Sequence, residues 1–293
     1  MTRVLRRIAA RVVGKEKAEH LWSRLEIIGD IALIKSSSIA GMRDPLTVED
    51  YKAIGEELLR RFPYIKSVWL VVGPVSGERL LRTAIHLAGE PRSETIYREH
   101  GCKFKVDILR VFVTPRLNYE HKRLAEIARD GETIVNMFAG AGLFSIVMAC
   151  RKRVKVYSID VSEDAYRFMV ENINLNRDRL KGEVIPLLGD AAKVIEEKLS
   201  SIADRVLEPY PRLALNYMRY ALKALKGRGF LHVYLHVEAE NKRSAIAKAS
   251  LSVVSRLESL GWRGYAENSR VVRPVGPRLY QVVVDVYAEK APS

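Results

Sequence analysis

The stretch VNMFAGAGLFSI, residues 135–146, places Gly140 and Gly142 between one apolar run and the next. A strand ending at such a pair can turn sharply into a helix, and backbone bare of side chains admits a ligand closely. The turn alone does not identify the ligand. A dinucleotide fingerprint needs a third glycine, and Ser145 stands in its place. A tight structural turn would use the same two glycines.

Outward from this turn the chain alternates. GETIVNMF (131–138) reads as a strand, LFSIVMACR (143–151) as a helix, VKVYSIDV (154–161) as a strand and EDAYRFMVENINLN (163–176) as a helix. GEVIPLLGD and DRVLEPY continue as strands, LALNYMRYALKAL as a helix, GFLHVYLHV as a strand, and residues 244–261 as a helix. RLYQVVVDVYAE closes the chain as an alternating strand. Such alternation predicts an α/β fold with a mostly parallel sheet, helices on both faces and a ligand crevice beyond the carboxyl ends of the strands. The second strand ends in Asp160, twenty residues past Gly140, where a carboxylate can accept from ribose hydroxyls; the third ends in Asp190, placed to receive an adenine amine. A glycine turn followed by these two acids is the pattern of class I S-adenosylmethionine (AdoMet) enzymes. Each acid alone would as readily cap a helix.

Before this region the pattern differs. Residues 1–22 read as a basic amphipathic helix, for which a solvated docking helix is the plain alternative. LEIIGDIALIK reads as strand, turn, strand, and TVEDYKAIGEELLRRF as a helix begun by Thr47 with acids in its first turn. VWLVVG is a strand, and ETIYREHGCKFKVDILRVF a hairpin about Gly101. The expected organisation is a basic helix (1–22), a small α+β domain (23–112) and an α/β domain (113–293).

Composition bounds the function. The 293 residues, 48% hydrophobic, suffice for one large domain and a small one. No run approaches the roughly 20 apolar residues of a membrane span, and the start lacks a secretory pattern, so a cytoplasmic address is expected. Cys102 and Cys150 are too few for a disulfide framework or a cysteine-built zinc site, and no metal is expected. Lys plus Arg number 49 against 35 acids, a net charge of +14 that points to polyanions such as nucleic acid. Basic groups with interleaved tyrosines cluster at residues 76–82, 90–105 and 263–278, where they could neutralise phosphates and stack on unpaired bases; a solvated basic face would hold the same residues.

The stretches IIGDIALIK, residues 94–146, VYSIDVSEDAYRFMVENINLN, ADRVL and FLHVYLHV resemble the archaeal and eukaryotic-type tRNA guanine-37 N1-methyltransferases and their sister, the wybutosine-pathway aminocarboxypropyl transferase. The resemblance runs from about residue 24 onward. It implies a Rossmann-like class I AdoMet methyltransferase domain preceded by a small α+β RNA-binding domain, a tRNA substrate and a monomer without a separate tRNA-elbow domain. Glu120 and Arg116 match the family's acid and arginine in TPRLNYEH. Guanine N1 carries a proton, so a carboxylate must take it as the nitrogen attacks, and a cation must steady charge on O6. Glu120 suits the first role and Arg116 the second; an i, i+4 surface ion pair is the bland alternative. Arg116 favours methyl transfer, because the sister branch usually carries asparagine there. The expected cofactor set is Phe112, Asn136, Phe138, Gly140, Gly142, Asp160 and Asp190.

Four departures from the family pattern stand out. Asn136 replaces an aspartate, and Leu80 an arginine near O6, leaving Arg79 or Arg82 as substitutes. His121 stands where arginine is usual, and Pro209, Tyr210, Pro211 replace the motif NLP, whose asparagine helps hold the base. Glu208 and Tyr210 become candidates for that contact. Transfer of AdoMet's aminocarboxypropyl arm, or tRNA binding without chemistry, are the competing expectations.

Overall fold

The computed structural model describes residues 2–22, 25–40, 44–73 and 81–291. The chain divides into two compact units, Met1–Pro115 and Arg116–Ser293. In the first, helices α1 (Thr2–Val12) and α2 (Lys15–His20) replace the single expected helix. Gly14, at φ 87°, breaks it, because an α-helix cannot pass through that conformation. Nor is α1 a solvated docking helix: Leu5, Ile8 and Ala9 lie in one core with Leu21, Ile34, Ile54, Leu58 and Val68.

Strands β1 (Glu26–Ile28), β2 (Ile31–Lys35), β3 (Ser67–Val71) and β4 (Ala84–Gly89) form a sheet in that order. Only the β2/β3 pair is parallel, joined across helix α3 (Val48–Arg61). Thr47 starts α3 as read, in a capping box with Asp50. Strands β5 (Glu94–Glu99) and β6 (Cys102–Asp107) make the expected hairpin, turning through His100 and Gly101, both at positive φ.

The second unit opens with α4 (Asn118–Ile127), then β7 (Thr133–Asn136), α5 (Leu143–Arg151), β8 (Lys155–Asp160), α6 (Glu163–Leu175) and β9 (Glu183–Leu188). There follow α7 (Ala191–Lys198), β10 (Ala203–Glu208), α8 (Ala214–Ala224), β11 (Leu225–Glu238), α9 (Lys242–Ser259), β12 (Trp262–Gly276) and β13 (Leu279–Lys290). Its seven strands run β12-β13-β11-β10-β7-β8-β9. The pairs from β11 to β9 are parallel and the last two strands antiparallel, as the alternation implied. The winding reverses between β7 and β10, so the crevice where such folds hold ligands opens beside Asn136 and Glu208. One sheet face is sealed by α7, α8 and α9 around Val135, Val206, Leu231 and Val284. Among the described residues no helix is long and apolar enough to cross a membrane.

Candidate functional site

The glycine turn is built by two different requirements. Gly142, at φ 87°, is the residue from which α5 starts, and a β-carbon there would meet Met169 Cγ at 3.0 Å. Packing demands that glycine. Gly140, at φ 55°, would direct a β-carbon at nothing within 4 Å, so its peptide is bare toward open space. Asp160 pins that peptide: its carboxylate accepts from Gly140 N at 2.7 Å and from Ser162 N at 2.9 Å.

Asn136 works beneath the turn. It is wholly buried, donates through Nδ2 to Ser145 Oγ at 3.1 Å, and its Oδ1 accepts from Phe138 N at 3.4 Å. Ser158 donates to the same Ser145 hydroxyl at 2.7 Å. The serine that spoils a dinucleotide fingerprint thus ties β7, β8 and α5 together. An amide can donate to a hydroxyl where an aspartate could only accept, which accounts for asparagine here. Asn136 thus supports the turn from beneath.

Asp190 caps α7 through Lys193 N at 3.1 Å and accepts from the Tyr217 hydroxyl at 2.8 Å. Tyr217 meets the Phe138 ring edge-on at 5.4 Å, and Phe138 meets Tyr210 at 5.5 Å. An aromatic run therefore joins the acid after β9 to the turn after β7 and the loop after β10.

On the opposite sheet face lies a chain of buried charges. Glu120, 1% exposed, accepts from Arg123 Nε at 3.0 Å and from the Tyr234 hydroxyl at 2.9 Å, and is paired with Arg270. Arg123 in turn clasps Asp285 at 2.5 and 3.2 Å. Asp285 bonds His232 Nδ1 at 2.5 Å, and His232 Nε2 lies 2.7 Å from Arg205 Nη1. Arg205 ends on Glu132 at 2.8 and 2.9 Å. Because guanidinium only donates, Nε2 must accept and Nδ1 carry the proton. Burial depresses the His232 pKa, opposed by Asp285, which keeps the ring neutral between its partners. For Asp285 burial pushes upward, but His232 and Arg123 override it and hold the carboxyl well below the usual range.

Arg270, within the basic stretch 263–278, lies in β12, pairs with Glu120 and spans the Tyr119 ring at 4.3 Å. Arg116 lies exposed in the 3-10 turn just before α4, while Glu120 is inside the helix. Arg82, expected near O6, is 8% exposed, paired with Glu26 at 3.1 Å and donates to Val113 O at 2.5 Å, within the first unit. Phe112 belongs to that unit too, 5.9 Å beneath the Arg82 guanidinium. Arg79 and Leu80 lie outside the described residues. His121 packs edge-on against Phe144 at 4.3 Å, so the ring fills helix-to-helix space. Glu208 ends β10 with no exposure and no partner on either oxygen, and burial raises its pKa well above the usual carboxylate value.

Sequence reading missed Arg123, His232, Tyr234 and Asp285. The signal was present in VVVDVYA and FLHVYLHV, where a charged or titratable residue interrupts a buried strand and must find a partner.

A doubly wound sheet with an acid-braced glycine turn at its switch point defines a class I methyltransferase fold. The TRM5/TYW2 methyltransferase domain model matches residues 95–255. A tRNA 4-demethylwyosine(37)-methyltransferase of Saccharolobus solfataricus is 41% identical over 271 residues, 92% of this chain and 95% of that protein. A tRNA (guanine(37)-N(1))-methyltransferase of Pyrococcus abyssi is 31% identical, over 93% of this chain and 77% of its own. The solved complex of aTrm5 and tRNALeu superposes with a TM-score of 0.80 at 27% identity, covering 98% of this chain and 78% of that one. This chain belongs to the TRM5/TYW2 methyltransferase family.

Proposed function

We propose that this chain is a cytoplasmic AdoMet-dependent tRNA methyltransferase that forms 1-methylguanosine at position 37, 3′ of the anticodon. The observation that carries this is Glu120: a carboxylate on α4, 1% exposed and oriented by Arg123 of the same helix and Tyr234 of β11, with α4 packed on the helix that begins at Gly142. The open peptide of Gly140 suits a nucleoside; Asp160 would hold its ribose, Asp190 its adenine amine, and Phe138 would wall the base. AdoMet bound there supplies an electrophilic methyl group on a sulfonium.

Glu120 takes the N1 proton, and Arg116 offsets charge on O6. Glu120 must first exchange Arg270, whose side chain is 31% exposed, for the base. Basic residues of the first unit bind tRNA phosphates.

A second reading is methyl transfer to 4-demethylwyosine at the same position, favoured by the 41% relative and by Pro209, Tyr210, Pro211 in the loop after β10. The test supplies AdoMet labelled in the methyl group to tRNA carrying either base at 37, followed by digestion to nucleosides. Labelled 1-methylguanosine supports the first reading, and label confined to the tricyclic base the second. Incorporation only from AdoMet labelled in its carboxyl carbon supports aminocarboxypropyl transfer. No incorporation on any tRNA refutes all three.

A further inference from the structure

Among the described residues, Glu208 is the buried acid at the crevice that the proposed proton transfer does not use. Both its oxygens are sealed from solvent, and neither has a hydrogen-bond partner. The local sequence denies it partners: Pro209 and Pro211 flank Tyr210, so two of the next three residues have no N–H to offer. Yet the residue ends β10, opposite Val233 and one step past the Leu207/Asn136 pair, where the winding of the sheet reverses. Orphaned buried polar atoms are uncommon enough in folded proteins that each one needs a reason. Mere packing would be better served by an apolar side chain of the same length, as unpaired polar atoms destabilise the fold.

We propose that Glu208 is a base-recognition residue that acts as an uncharged carboxylic acid, its O–H and C=O meeting an adjacent acceptor and donor on the target purine. The inference rests on the reading of a guanine at position 37 as substrate. With N1 reacting and O6 matched to a cation, the edge left to recognise is N2–H and N3, an adjacent donor and acceptor. A carboxylic acid complements that edge with two hydrogen bonds; a carboxylate, which only accepts, does not. The low dielectric that makes the orphan costly also strengthens both bonds once formed. Access requires movement of residues 209–213, whose Tyr210 ring rests against Phe138 at 5.5 Å.

The experiment compares wild type, Glu208→Gln and Glu208→Met on two tRNAs, one with guanosine and one with inosine at position 37. Inosine keeps N1 and O6 but lacks the exocyclic amine. On guanosine tRNA, Glu208→Met is expected to lower kcat/KM about a hundredfold, chiefly through KM, with AdoMet affinity and tRNA phosphate binding unaltered and the melting temperature raised. Glu208→Gln, which still presents a donor and an acceptor, recovers most of that loss and stays within about fivefold of wild type. On inosine tRNA, which keeps the N3 acceptor but lacks the amine, the hundredfold gap between wild type and Glu208→Met shrinks to about tenfold. The proposal is overturned if Glu208→Met works as well as wild type, if Glu208→Gln falls as far as Glu208→Met, or if the gap survives on inosine. Inactivity of wild type on guanosine tRNA refutes the substrate reading instead, and the same variants are then compared on whichever tRNA is modified.

Discussion

Replacing Asp285 by asparagine tests whether the buried charges form one working unit. Asp285 is 3% exposed and receives Arg123 at 2.5 and 3.2 Å, His232 Nδ1 at 2.5 Å and Asn268 Nδ2 at 3.0 Å. Asparagine keeps the shape, but one oxygen becomes an N–H₂ that must face donors, and Arg123 loses a counter-charge it cannot replace with water. Breaking a buried pair in this way costs about 3–5 kcal/mol. For a unit of this size each kcal/mol moves Tm by about 2–4 °C, so a fall of about 10 °C is expected at pH 7. The pH dependence fixes the cause. The native pKa of Asp285 is lowered, so its stabilisation is present above the unfolded value of about 3.9 and is lost as pH falls toward the native value. The gap between variant and wild type must therefore shrink in acid. Glu183→Gln is the control, since Lys155 and Glu183 make a pair at 3.5 Å that is 47% and 63% exposed, and its loss should cost under about 1 kcal/mol. Thermal scans from pH 3 to 8 decide the matter: a drop at Asp285 no larger than at Glu183 would refute the reasoning.

Three further outcomes follow from the same geometry. Glu120→Gln should reduce methyl transfer by about 10²–10⁴-fold while leaving AdoMet affinity intact; a loss under tenfold in single-turnover assays would remove it as the base. Gly140→Ala and Gly142→Ala each carry about 1–2 kcal/mol of left-handed strain, but only the second also presses on Met169. Melting should thus fall further for Gly142→Ala, whereas calorimetry should find weakened AdoMet binding at Gly140→Ala; unchanged affinity there contradicts the open-peptide reading. For Glu208 the native pKa is raised, so its stabilisation is full below the unfolded value of about 4.3 and disappears as pH climbs, at about 1.4 kcal/mol per unit. Glu208→Gln should accordingly gain on wild type from pH 4.5 to 8, and parallel melting curves would show that no buried proton is held.

The glycine turn was legible as a turn because backbone need and side-chain type coincide there: glycines, Asp160 and Asp190 sit at strand ends set by hydrophobic period. Helix α4 was not readable as an element by that period, since its buried face carries Glu120, His121 and Arg123 beside Leu124 and Ala125. Charge pairing, not apolar spacing, drives it into the sheet. Strand β12 hid for a related reason: it is an edge strand with register shifts near Ala266, Val271 and Pro274, so its sequence looks like a basic loop. Arg270 could be given its partner only by a fold that brings residues 120 and 270 together. Helix α7 is only eight residues long, and its N-cap, Asp190, was weighed as a cap and as a ligand contact alike; the structure shows the cap.

The departure at residues 208–211 follows from the same alternation. Along β10, Arg205 lies with the buried charges and Val206 with the core under α7, α8 and α9, so Glu208, the last residue of the strand, follows Val206. A chain drifting toward inactivity would gain stability by filling position 208 with an apolar side chain. A dry, unpaired carboxyl at the end of β10 instead argues for a base held from the α8 side of the crevice, with Glu120 approaching from the other.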